Sequence, residues 1–399
     1  MGSALPLGIA WPESNLIPAL LGHDQSFHAY VHIPFCEVRC GYCDFNTYTA
    51  KEIGGVSQSD FHESIIREIQ VSANVMRQSG YPTKSLKTIF FGGGTPSLFS
   101  SKQIGAILNS LESEFGFSDA IEITTEANPE STSPDYLREL SELGVNRLSL
   151  GAQSFDASVL ETLDRKHDPA RVAPLVQSAK SIGMDTSIDL IYGAPGESLD
   201  SWKQTVEKAL SLGSGHISAY SLIVEPGTKL ARQIRSGELA QTDEDLDAEK
   251  YVFADKAFTD AGLDWYEFSN WGKPSAHNQA YWRSQNWWGY GPGAHSHLSG
   301  NRFWNVKHPL TYQNRVTEST AVAGLEYIDK RTHLEERLML ELRTSAGIPM
   351  ETISELEISP ELLASCQDNG ELMVIDGNLV VTDKGRLFVD RIVLQLLTN

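Results

Sequence analysis

The chain has 399 residues, 41% of them hydrophobic, enough for a large buried core and more than one domain. Its 32 basic and 52 acidic residues leave a formal charge of -20, which repels phosphate backbones and anionic lipid and disfavours nucleic-acid and membrane-surface binding. Four cysteines, three of them crowded between positions 36 and 43, argue against a disulfide framework and for a metal centre in a reducing, cytosolic compartment.

Residues 1–27 carry Pro6, Pro12 and Pro18 but no basic run feeding a long apolar segment, so they read as a surface-packed extension rather than a leader or membrane span. From residue 28 onward, β-rich runs at 28–35, 87–91, 121–126, 147–153, 186–192 and 216–224 alternate with amphipathic helices at 60–78, 102–114, 133–143, 169–182 and 201–212. Six such units fall short of a closed eightfold barrel. The expected fold is therefore α/β, an open (β/α)6 partial TIM-type barrel over 28–240, with its site at the C-terminal strand ends.

Residues 241–320 change rhythm: an acidic helix at 243–261, a strand at 265–268, then an aromatic, Gly- and His-rich segment to Trp304, too dense to be a linker. Residues 321–399 read as helices around a hairpin at 374–381 with an Asp376-Gly377 turn, followed by a helix from Asp383. This pattern predicts a small C-terminal winged-helix-like α+β domain, and the acidic charge argues that it binds no nucleic acid.

Cys36-x3-Cys40-x2-Cys43 falls just beyond the first strand, on a loop with Pro34 and Gly41. Structural zinc normally takes four ligands, and the remaining cysteine, Cys366, is far along the chain. Three thiolates can instead hold a cubane cluster with one iron left open. Cys366 itself reads as a small buried side chain.

Phe91-Gly92-Gly93-Gly94-Thr95-Pro96 closes the second strand, where glycines let backbone amides approach a ligand; taken alone, such a run is as readily a plain turn. Glu126, Gln153, Arg165 and Asp189 mark the ends of later strands or the loops beyond them, any one of which could be a surface residue. Taken together, the cysteine spacing after His32-Ile33-Pro34-Phe35 and these strand-end motifs resemble the radical S-adenosylmethionine (SAM) superfamily, in its coproporphyrinogen-oxidase-like branch. The resemblance implies a [4Fe-4S] cluster on Cys36, Cys40 and Cys43, with SAM bound beside it by Tyr30, Gly93 and Glu126. Gly94, Thr95, Gln153, Arg165 and Asp189 match positions that contact a second SAM in the oxidase, and Tyr42 is counted with the cofactor-binding residues.

The branch contains oxygen-independent coproporphyrinogen III dehydrogenases and HemW-type heme chaperones. The dehydrogenase has a further cysteine two residues after the third ligand, where this chain has Phe45, and a longer N-terminal region. His277-Asn278-Gln279-Ala280-Tyr281-Trp282 resembles the chaperones' His-Asn-x-x-Tyr-Trp signature, whose histidine is implicated in heme binding. On residue type alone, His277 is also readable as a satisfied core histidine, and His295, His297 and His308 are rival or second ligands. The resemblance implies heme, heme-acceptor proteins and an electron donor as partners, membrane contact only through an acceptor, and suggests a homodimer.

Overall fold

The computed structural model describes residues 6–22, 26–49, 55–82, 84–166, 168–317 and 319–398. Twelve strands make the main sheet: β1 (Phe27–Ile33), β2 (Leu86–Gly93), β3 (Phe117–Ala127), β4 (Arg147–Gln153), β5 (Asp185–Tyr192), β6 (His216–Ser221), β7 (Trp265–Glu267), β8 (Asn270–Gly272), β9 (Asn286–Tyr290), β10 (His295–Leu298), β11 (Asn301–Asn305) and β12 (Val322–Tyr327). Their order is β12-β11-β10-β9-β1-β2-β3-β4-β5-β6-β8-β7. β1 to β6 run parallel, as the six-unit reading expects, and β9 joins β1 as a further parallel strand. Antiparallel strands extend both ends of the sheet.

Alternation along the strands explains both the core and the cavity. In β1, Phe27, Ala29, Val31 and Ile33 alternate with His28, Tyr30 and His32; the apolar set is buried in the main core. Register places His28, Tyr30 and His32 level with Thr88, Phe90 and Gly92, and Thr88 level with Glu122. The concave side of the sheet is thus largely polar, where a closed barrel would fill it with branched apolar side chains. The opposite face takes amphipathic helices, such as Phe61–Gln78, which buries Phe61, Ile65, Ile69, Ala73 and Met76.

Several boundaries differ from the sequence reading for local reasons. β1 stops at Ile33 because Pro34 has no N–H for the ladder. The helix expected at 169–182 is a 3-10 turn, Pro169–Arg171, followed by Val172–Ser181. β12, grouped by sequence with the C-terminal module, instead pairs with β11, so the second core begins only at Leu334. Of the N-terminal extension, residues 1–5 and 23–25 lie outside the described residues. Elsewhere in it, Ile9 bridges Leu325 of β12, and Trp11 meets Phe303 edge-on.

The C-terminal unit has its own core, including Leu338, Leu342, Ile353, Leu379 and Ile392, around a small sheet ordered β13 (Ile348–Pro349), β15 (Asn378–Val381), β14 (Leu372–Ile375). Asp376 and Gly377 both take positive φ, 47° and 82°, as the two-residue hairpin turn requires. Arg386 ties this unit to the barrel, donating to both Asp255 carboxylate oxygens at 2.7 and 2.8 Å, with its guanidinium 4.6 Å from the Trp265 ring. Arg386→Leu leaves Asp255 with only the Trp271 indole donor among these contacts. A loss of about 3 kcal/mol is expected, measured as a lower urea midpoint.

Candidate cluster and cofactor site

The cysteine loop crosses the C-terminal end of β1. Backbone bonds fold it back on itself: Cys36 N–H donates to Tyr48 O (3.0 Å), Tyr48 N–H to Pro34 O (2.7 Å) and Cys43 N–H to Cys40 O (3.2 Å). Gly94 N–H donates to Ile33 O (2.7 Å) and Thr95 N–H to Phe35 O (2.8 Å), clamping the glycine run beneath it. A Cβ at Gly94 would lie 2.4 Å from Phe35 O, and Gly93 has φ +106°, so this junction needs both glycines.

The three thiols are partly buried and line one cavity of about 620 Å³. Thr95 Oγ1 lies 3.8 Å from Cys36 Sγ, and Arg165 Nη1 lies 3.5 Å from Cys40 Sγ, placing a hydroxyl donor and a guanidinium beside the sulfurs. Burial pushes the Cys36 thiol up and Cys43 to about 11; metal coordination would reverse that preference by deprotonating the thiol. Among the described residues, no three His, Cys, Asp or Glu side chains converge on a single metal ion. A cubane distributes its thiolates over different irons, so this donor set fits a cluster and would leave one iron without a protein ligand.

The three cysteines, the cofactor-binding residues expected from sequence and His277 all line this cavity, whereas His295, His297 and His308 do not. Tyr30 and Glu126 project from β1 and β3, and Gly93 N–H donates to Glu126 Oε2 at 3.2 Å. Burial, reinforced by Asp189, pushes Glu126 to about 8, so cation entry favours its ionisation. Asp189 accepts from Ser149 and Ser218 hydroxyls, both at 2.8 Å. Arg165 donates to Asn128 Oδ1 (2.9 Å) and Gly151 O (3.1 Å), whereas Gln153, at φ +57°, leaves buried Oε1 without a protein partner. That orphan acceptor suits a ligand hydroxyl or amine. Tyr42 sits in the wall beside Cys40 and Arg165.

Asn128, Ser149 and Ser218 were not legible in the sequence as site residues. Asn128 lies two residues beyond Glu126, but its task of holding Arg165 depends on a contact across 37 positions. The same limitation applies to the support beneath the cluster loop. Asn46 Nδ2 donates to Pro292 O and Lys307 O, both at 2.9 Å, so the loop rests on the turn after β9. That turn is fixed by buried Glu68, which accepts from Gly291 N–H (2.7 Å), Tyr312 hydroxyl (2.5 Å) and Asn305 Nδ2 (2.6 Å).

His277 adopts the core arrangement that its residue type left open. Its side chain lies on helix Ala276–Trp282 at the cavity floor, and the residue is 1% exposed. Nδ1 is 2.6 Å from Thr88 Oγ1 and Nε2 is 2.8 Å from the Tyr281 hydroxyl, so no ring nitrogen is presented to a heme iron. His297 is also buried, with Nδ1 3.1 Å from Gln285 O, whereas His308 caps a helix through Leu310 N–H. His295 at the start of β10 is exposed and stacks on Trp304. Cys366 lies in the C-terminal core, consistent with its reading as a small buried side chain.

The model for the radical SAM superfamily matches residues 30–209, and that for the HemN C-terminal domain matches 328–388. The chain is 40% identical to the heme chaperone HemW of Mycobacterium tuberculosis, covering 94% of this chain and 95% of that one. It is 34% identical to the Bacillus subtilis heme chaperone HemW, covering 90% and 96%. Its fold resembles coproporphyrinogen III oxidase (HemN) from Escherichia coli, with TM-score 0.79 and 22% identity over 95% of this chain and 92% of that one. The chain belongs to the radical SAM superfamily, in the HemW family of its coproporphyrinogen-oxidase-like branch.

Proposed function

We propose that this protein is a cytoplasmic heme chaperone that holds a [4Fe-4S] cluster on Cys36, Cys40 and Cys43, binds SAM beside it, and passes heme to acceptor proteins. Full-length similarity to heme chaperones carries the reading. The cavity mouth supports it: Val38 and Phe45 on the cysteine loop and Ile223 beyond β6 are 42%, 64% and 70% exposed at its edge. An apolar rim can hold a flat macrocycle, while the polar depth suits SAM's ribose and charged groups.

When bound, the cluster would supply an electron and an open iron for SAM's amino and carboxylate groups. Within the reading, Glu126 accepts from the amino group, Arg165 faces the thiolates and Asp189 receives ribose hydroxyls. Thr95, Gly93, Gly94 and Gln153 shape the remaining wall, with Tyr30 and Tyr42 on either side. An external electron donor completes the set, and a homodimer remains part of the proposal.

The test is an anaerobic heme titration of the cluster-reconstituted protein, followed in the Soret band, with His277→Ala and His295→Ala alongside. Saturable one-to-one binding is expected, and the variant with the larger loss identifies the axial ligand. Loss in His277→Ala alone would mean that Tyr281 releases Nε2 when heme enters. Absence of saturable binding by the wild type contradicts the chaperone reading.

A further inference from the structure

The contacts that occupy both nitrogens of His277 belong to a longer chain. From the cavity wall it runs Tyr281 hydroxyl to His277 Nε2 (2.8 Å), His277 Nδ1 to Thr88 Oγ1 (2.6 Å), and Thr88 Oγ1 to His28 Nδ1 (2.8 Å). His28 Nε2 then meets Gln285 Oε1 at 2.9 Å and Ser26 Oγ at 3.0 Å. Ser26 and Gln285 are partly exposed, whereas Thr88, His28 and His277 are 1%, 3% and 1% exposed. The chain runs through buried residues from the cavity wall to the partly exposed Ser26 and Gln285.

Each interior group can relay a proton because each has both a donor and an acceptor role. Burial lowers both imidazoles, His28 to about 4, so each is neutral near pH 7 with one N–H and one lone pair. With Gln285 Oε1 as outer acceptor, one polarity satisfies every group: Tyr281 donates to His277, His277 to Thr88, Thr88 to His28, and His28 to Gln285. The helix carrying the inner end is fixed in place. Glu122 accepts from Ala276 N–H and His277 N–H, both at 3.0 Å, while Ser275 Oγ accepts from Asn278 N–H at 3.3 Å.

We propose that Tyr281, His277, Thr88 and His28 form a proton relay through the barrel floor, carrying away protons released as SAM binds, from Glu126 and from the SAM ammonium group that must deprotonate to chelate an iron. This inference rests on the SAM reading above. Glu126 is faced by Asp189, Tyr30 and Tyr281. A ligand entering through the mouth obstructs that route as it draws the carboxyl into its ionised form. Glu126 or the SAM ammonium group then loses a proton to the cavity, and Tyr281 oxygen takes one. Tyr281 passes its own proton to His277 Nε2, His277 passes the Nδ1 proton to Thr88, Thr88 passes its proton to His28 Nδ1, and the His28 Nε2 proton leaves near Ser26 and Gln285. No electron moves, and hydroxyl rotation with imidazole tautomer exchange restores the starting polarity.

The experiment mixes SAM with anaerobic, cluster-reconstituted protein in weak buffer containing a pH indicator, and follows SAM binding separately through cluster absorbance. Thr88→Val removes the central hydroxyl and Thr88→Ser retains it; Gln285→Leu removes the acceptor of His28 Nε2 at the partly exposed outlet. Thr88→Val is expected to release the same number of protons per SAM at least ~10-fold more slowly. Gln285→Leu should also slow release, whereas Thr88→Ser should match wild type. Wild-type proton release that is equally fast in Thr88→Val and Gln285→Leu overturns the relay, as does SAM binding without proton release. Failure of the wild type to bind SAM overturns the functional reading on which the relay depends.

Discussion

Alanine at Cys36, Cys40 or Cys43, introduced singly, is expected to abolish retention of a [4Fe-4S] cluster. In the proposed cluster each thiolate would hold a different iron, and the loop offers no spare sulfur. Cys366 cannot readily substitute because it is 3% exposed within the separate C-terminal core. The loop backbone is held independently, with Gly41 N–H donating to Leu163 O at 3.3 Å and Leu230 N–H donating to Gly41 O at 2.9 Å. The variants should therefore fold and fail specifically at metal loading. Iron per chain and the reduced-cluster EPR signal should collapse in all three, while Cys366→Ala retains both; wild-type iron in Cys40→Ala contradicts the assignment.

Glu68→Ala is the second large effect, although the residue lies outside the cofactor cavity. It removes the buried acceptor of Gly291 N–H, of the Tyr312 hydroxyl and of one Asn305 amide hydrogen, leaving Tyr312 a 3.5 Å contact to Ser64 O and Asn305 its 2.9 Å bond to Gly291 O. Unsatisfied buried donors of this kind should cost about 3–5 kcal/mol together, measured by urea unfolding. The turn after β9 supports Asn46, so faster loss of reconstituted iron should accompany the lower stability.

The same carboxyl has a defined pH signature. Burial outweighs its three donors and pushes Glu68 from 4.5 to about 7. Between those values the folded protein retains a proton that the unfolded chain releases, so stability from this group falls as pH rises through the window. The full change is about 3 kcal/mol. Glu68→Gln removes this contribution, and the wild-type minus variant stability should decline from pH 4.5 to 7; a constant difference contradicts the assignment.

The parallel barrel was legible because each crossover helix has an apolar stripe and each of the first six strands is bounded by turn chemistry. β9 was not. Asn286-Trp287-Trp288-Gly289-Tyr290 has no clean alternation, and its partner β1 lies far earlier in the chain. The grouping of the three cysteines was readable because their spacing lies within one loop, and that of the strand-end residues lining the same cavity because their motifs are local. Glu68 gave no signal, since a glutamate in an amphipathic helix normally faces water and its partners lie more than 220 positions away. His277 illustrates the intermediate case: its signature was visible, but Thr88, the partner that occupies Nδ1, is 189 positions earlier.

The most direct test of the chaperone account is heme transfer. Heme-loaded, cluster-reconstituted protein is mixed anaerobically with an apo-hemoprotein whose bound heme has a distinct Soret spectrum, and a parallel sample receives coproporphyrinogen III, reductant and SAM. The account expects heme to move to the acceptor and porphyrinogen to remain unconsumed. Heme that stays bound, together with porphyrinogen conversion matched by SAM cleavage, would contradict it and identify the protein as a decarboxylating enzyme.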